Sequence, residues 1–167
     1  MAMTVRRIVT GHDEKGRAVV ASDEQVTGQP GRSGVGSYEI WSTDSMPVDL
    51  SDDAAAAQRQ GFVRHFNYVD TGHGSVIRVL HLEPGAARFM HRTETLDYAI
   101  LLSGTCNLEL DDGVVVQVRA GDIVVQRGTM HAWLNPGPEA CVFAFVLLDA
   151  TPAVVGGEEL KTHFPVV

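Results

Sequence analysis

"TCNLELDDGVVVQV", residues 105–118, sets two runs of strand-forming residues on either side of Asp112-Gly113. An Asp-Gly connection supplies the positive φ values of a tight hairpin turn, so this stretch predicts two antiparallel strands. Outward from it the same pattern repeats. "SVIRVLHLEPG" (75–85), "TLDYAILLSG" (95–104), "DIVVQRG" (122–128), "HAWLNPG" (131–137) and "ACVFAFVLLDA" (140–150) have strand length and close on a Gly, Pro or Asp turn. Consecutive short strands with tight turns and almost no helical period predict an all-β fold, an antiparallel β-barrel or jelly roll over residues 73–150.

The first third has a different texture. "VRRIVT" (5–10) and "RAVVAS" (17–22) flank a polar turn at Gly16 and predict a hairpin. Residues 27–37, "TGQPGRSGVGS", read as a loop, and "YEIWST" (38–43) as a further strand. Ser51, Asp52 and Asp53 cap a short helix expected in "AAAAQRQ", which Gly61 would stop. The organisation expected is an extension (1–72) packing on the barrel or on a dimer partner, the barrel (73–150), and a tail (151–167). Residues 1–50 are too poor in apolar side chains to build their own core. Ile8, Val9, Val19, Val20, Ile40 and Trp41 need a surface to bury against, which predicts a homodimer.

A chain of 167 residues suits one domain with a real core. Thirteen basic and 21 acidic residues give a net charge of −8, which argues against a nucleic-acid partner or an anionic membrane surface. The N-terminus shows no apolar signal core, and no run approaches the ~20 apolar residues of a membrane span. Cys106 and Cys141 are expected as buried free thiols, in keeping with a cytoplasmic setting.

Chemistry concentrates in two places. His91, Thr93, Thr95 and Asp97 share one parity, so an extended backbone points them to one face. Forty residues on, His131, Trp133 and Asn135 share a face of another strand. Two imidazoles and a carboxylate converging in a barrel would form a three-ligand site with open positions, suited to a first-row metal. His81 shares its face with Ile77 and Val79 and is expected to enter the cavity beside Tyr98. Arg127 is expected in solvent, and Asn135 to close a turn.

These residues carry a resemblance to the cupin superfamily, in its single-domain small-barrel form. Gly85, His91-x-Thr93, Asp97 and Gly104 reproduce every spacing of the first cupin motif, G-x5-H-x-H-x(3,4)-E-x6-G. Thr93 stands where that motif has its second histidine, and Asp97 where it has glutamate. Gly128, His131 and Asn135 fall at second-motif positions, with Gln126 in place of the proline and the gap from Gly121 one residue short. The wording "VVQRGTMHAWLN" is similar to cupins found alongside polyketide and aromatic-compound pathways. The resemblance implies an enzyme acting on a small organic substrate, aromatic, polyketide-like or an organic acid, in the barrel cavity. It implies a divalent ion (Fe, Mn, Ni or Zn) held by His91, Asp97 and His131, which would also be the catalytic residues. Thr93, Trp133, His81 and Tyr98 would line the substrate pocket. The alternatives are a metal-free acid/base dehydratase, isomerase or decarboxylase, and a non-catalytic small-molecule-binding cupin.

Overall fold

A computed structural model of the chain describes residues 3–30, 33–43, 45–51 and 74–165. The short helix expected after Ser51 lies outside the described residues. Strands β1 (Thr4–His12) and β2 (Ala18–Thr27) form a separate hairpin. A larger sheet runs in the order β3 (Gln29–Pro30), β4 (Val35–Thr43), β5 (Ser75–Leu82), β11, β6, β9. Its remaining members are β6 (Thr95–Ser103), β9 (Ile123–Arg127) and β11 (Cys141–Asp149). The smaller sheet has the order β10, β7, β8, built from β7 (Thr105–Glu109), β8 (Val115–Arg119) and β10 (Ala132–Leu134). A short pair, β12 (Val154–Val155) and β13 (Glu158–Glu159), lies in the tail. Every pairing is antiparallel, and the all-β jelly roll expected from the sequence is the fold observed.

The Asp112-Gly113 turn forms as the sequence requires. Both residues have positive φ, 57° and 72°, and Leu110 N–H donates to Val114 O across the turn. The expected loop at 27–37 is largely strand instead. Two of its glycines serve close packing: a Cβ on Gly28 would sit 2.5 Å from the Tyr38 ring, and one on Gly36 3.3 Å away. Tyr38 is thereby buried, and β4 pairs along β5 from Val35 to Thr43.

The core lies between the two sheets. Period-two alternation on β6 and β11 turns Ala99 and Leu101, and Cys141, Phe143, Phe145 and Leu147, inward. Cys106, Leu108 and Val118 of the smaller sheet close over them. At ~1.5–3 kcal/mol for each large apolar side chain removed from water, this cluster carries much of the fold's stability. Both cysteines are buried free thiols. Among the described residues no helix is long and apolar enough to cross a membrane.

Candidate functional site

The inward alternation on β6 does not end with the apolar core. Continuing toward its N-terminus it turns Asp97 and Thr95 inward, both buried. Asp97 stands opposite Gln126 of β9 in the sheet register, so these two polar side chains occupy one stripe of the interior. Just before β6 the chain makes an isolated antiparallel bridge. His91 and His131 exchange backbone hydrogen bonds of 2.9 Å in both directions, and their ring centroids lie 4.3 Å apart. The two histidines 40 positions apart in sequence are thus neighbours, as their spacing predicted.

Each imidazole is oriented by a nearby carbonyl. His91 Nδ1 lies 2.9 Å from Phe89 O, and His131 Nδ1 lies 3.0 Å from Thr129 O. A carbonyl only accepts, so His131 carries its proton on Nδ1 and leaves Nε2 as an acceptor. Gln126 Nε2 is 2.9 Å from that nitrogen and donates to it. His131 is buried, and its pKa is lowered to about 3, first by desolvation and then by the charges of His91 and Arg78. It is a neutral hydrogen-bonding group across the physiological range.

Asp97 shows the opposite displacement. Burial raises its pKa, partly offset by a hydrogen bond from Thr95 and by the Arg78 guanidinium. Thr93 and Thr95 hydroxyls bond to each other at 2.8 Å. Thr93, at the motif's missing histidine, therefore belongs to a hydroxyl chain that reaches Asp97. Glu94 has the other parity and bonds Thr162 of the tail.

The walls are aromatic. Trp133 packs 4.7 Å from Phe143 and 5.8 Å from Phe145, with His131 at 6.3 Å. Phe89 lies 4.8 Å from the His91 ring, and Phe164 stacks on His91 at 6.0 Å. Two expected wall residues are elsewhere. His81 stands opposite Val142 and Gly36, and Tyr98 opposite Val146 and Val125, which puts both on the outer face. Sequence parity grouped His81 correctly with Ile77 and Val79 but assigned that group to the wrong side. The inward residues of β5 are Val76, Arg78, Leu80 and Leu82, opposite Leu147, Phe145, Phe143 and Cys141. Arg78, its guanidinium 5.9 Å from the Phe145 ring centroid, is the interior residue that sequence reasoning missed. A lone charge amid "VIRVLHL" was its available signal. Asn135 does close a turn: its amide donates to Leu82 O and Glu139 O, and its oxygen accepts from Gly137 N–H.

The ligand triad expected from His91, Asp97 and His131 does not assemble. Among the described residues no three His, Cys, Asp or Glu side chains come together so that they could hold one ion. The physical reasons are local. Asp97 is one methylene shorter than glutamate on a strand that cannot advance its Cα, and Gln126 occupies the acceptor nitrogen of His131. Outside the β6–β9 edge, a cleft of about 220 Å³ runs from Thr93 and Thr95 past Arg127 and Gly128 to Pro152 and Leu160.

Fold and site together define a small polar-centred double-sheet barrel, and the comparisons give that class a family. The cupin domain model matches residues 78–147. The chain is 33% identical to oryzines biosynthesis cluster protein J of Aspergillus oryzae, over 93% of this chain and 89% of that protein. It is 34% identical to phomopsin biosynthesis cluster protein C′ of Diaporthe leptostromiformis (94% and 85% covered). It is 32% identical to the cupin-domain-containing oxidoreductase fogC of Aspergillus ruber (95% and 79% covered). The polyketide cyclase RemF from Streptomyces resistomycificus has the same fold, with a TM-score of 0.51 at 18% identity over 85% of this chain and 81% of that one. The protein belongs to the cupin superfamily.

Proposed function

We propose that this cupin is an enzyme acting on a small, flat organic molecule, aromatic or polyketide-like, by metal-independent acid/base chemistry inside the barrel. The observation that carries the reading is the His91–His131 bridge, which sets two imidazoles together within aromatic walls, with buried Asp97 on the same interior stripe, opposite the Gln126 that touches His131. His91 is the base that removes a proton from substrate carbon. Asp97, which burial keeps proton-bearing to higher pH than an ordinary carboxyl, is the acid that returns one to the leaving hydroxyl or to a second carbon. Base, acid and leaving water balance in a dehydration; without a leaving group the same pair performs an isomerisation. His131 stays neutral and positions.

The names of the relatives support a biosynthetic role, two of them belonging to biosynthesis clusters. The oxidoreductase name of fogC favours a second reading, redox chemistry on the same class of molecule. That reading needs an electron acceptor, and two imidazoles without a third donor are a weak hold for an ion. Incubating the chain with hydroxylated aromatic carbonyl compounds, followed by mass spectrometry, tests the proposal. Conversion at constant oxidation level, lost in His91→Ala, supports it. A mass change of two hydrogens or one oxygen selects redox chemistry, and binding without conversion selects a sensor.

We also infer that the chain works as a homodimer. Ile8 and Val20, on one face of the β1–β2 hairpin, remain 52% and 63% exposed, and a two-stranded ribbon is marginal in water by itself. A second copy covering this hairpin buries the same patch twice.

A further inference from the structure

Gln126 Oε1, Asp97 Oδ1 and Trp133 Nε1 are buried in the interior with no hydrogen-bond partner among the described residues. Leaving such an atom unmade costs ~1–3 kcal/mol, so each one marks a place where something else completes the bond. Gln126 is the informative case, because its amide has two ends and only one is used. The residue is 4% exposed and its donor end is fixed against His131.

That orientation follows from chemistry. His131 Nδ1 already donates to Thr129 O. The 2.7 Å approach of Gln126 Nε2 to the same Nδ1 therefore sets donor against donor, and the bond is the one to Nε2. Turning the amide over would set Oε1 against an unprotonated Nε2, or demand an imidazolium buried next to Arg78. Neither is tolerated where both side chains are buried. So Oε1 points away from His131, and it keeps a fixed direction because Nε2 is tied.

We propose that Gln126 is a specificity-determining residue: His131 locks its amide, and Oε1 is thereby held out as a buried acceptor for a hydroxyl of the substrate. The proposal rests on the reading of this interior as the place where a small molecule binds. The ligand class is a flat compound carrying a hydroxyl, with Trp133 Nε1 available to donate to a neighbouring oxygen. A molecule with a methyl group in that position leaves Oε1 unpaired and is discriminated against.

Phenol and toluene, equal in size and different only in hydroxyl against methyl, are the probes. Titration of the full chain by ligand-observed NMR gives a phenol-to-toluene affinity ratio, and Gln126→Met removes the acceptor at nearly constant length. The ratio should fall about tenfold in the variant, the equivalent of ~1.4 kcal/mol for one buried bond. Gln126→Leu serves the same comparison if the methionine variant does not fold. In the wild-type chain, ¹⁵N-imidazole spectra should place the His131 proton on Nδ1. An unchanged ratio, no binding of either probe up to its solubility, or a proton on Nε2 each overturns the proposal. Discrimination without conversion of any aromatic compound leaves this inference standing and removes the enzymatic one. Conversion by a chain blind to the hydroxyl does the reverse.

Discussion

His91 and His131 are backbone partners as well as ring neighbours. The two 2.9 Å hydrogen bonds between them clamp the segment before β6 onto the segment before β10. Ring spacing is thus set by the main chain and survives changes in the side chains. His91→Ala is expected to abolish turnover with an unchanged circular dichroism spectrum. His131→Ala should add a stability loss of about 1–3 kcal/mol, because Gln126 Nε2 is left buried without an acceptor. Equal urea midpoints for the two variants would contradict that asymmetry.

Acid and base titrations of the folded state should separate these groups. His131 has its pKa lowered from 6.5 to about 3, so its contribution to stability is complete above about pH 6.5 and is lost as pH falls toward 3. Asp97 is raised above 3.8, so its contribution is complete below that value and declines as pH rises through its folded pKa. Asp97→Asn should accordingly gain on the wild type as pH climbs from about 4 to 7, by at most ~1.4 kcal/mol per unit. Urea melts of both chains at half-unit steps measure it. A gap that narrows with rising pH would show that the Asp97 carboxyl is not penalised by burial.

Metal binding should be weak and recoverable by mutation. Chain purified without a histidine tag is expected to lose added Zn²⁺ on dialysis. Thr93→His restores a third imidazole to the motif spacing and should tighten Zn²⁺ binding at least tenfold, as read by calorimetry. Stoichiometric metal retained by the wild type would restore the ligand triad that Asp97 fails to complete here.

The turn at Gly104 tests the fold itself. Its φ is +81°, and an added Cβ would lie 2.9 Å from Cys141 Cβ and 3.0 Å from Ala140 O. Gly104→Ala should lower stability by roughly 1–3 kcal/mol through strain and overpacking together. Thermal unfolding of the variant reads the loss directly.

Light scattering at micromolar concentration should give the mass of two chains. Replacing Val20 by Asp puts a charge into the covered patch and should yield the single-chain mass. A dimer that persists in that variant moves the interface away from the hairpin.

Much of this was legible in the chain because strand parity is a strong local signal. Asp112-Gly113 fixed one hairpin outright, and the His91–Asp97 and His131–Asn135 spacings located the interior stripe before any register was known. What parity cannot do is tell inside from outside on a strand apolar on both faces. β5 is such a strand, with Val79 buried on the outer face beside Tyr38 of β4 and Val76 on the inner, and there the reading put His81 inside and passed over Arg78. Nor does parity report distance along a side chain. Asp97 lies on the expected face, yet whether its shorter arm joins two imidazoles depends on how close the strands approach. Gln126 was hidden for a related reason: one glutamine in "VVQRG" acquires meaning only when β9 pairs with β6 and sets it opposite Asp97.

The tail holds more than its own conformation. His163 exchanges 2.9 Å backbone hydrogen bonds with Arg92, Thr162 bonds Glu94, and Phe164 lies on the His91 ring, so residues 91–94 are pinned from one side by the bridge to His131 and from the other by the last stretch of the chain. The second clasp is short and rests on a few bonds outside the two sheets, so opening it requires little free energy compared with unfolding either sheet. Amide protons of Arg92 and His163 should therefore exchange with solvent well ahead of those in β6 and β11. Each such opening releases one flank of His91 while the jelly roll stays closed, giving the interior a breathing motion whose frequency is set by the Arg92–His163, Glu94–Thr162 and His91–Phe164 contacts together.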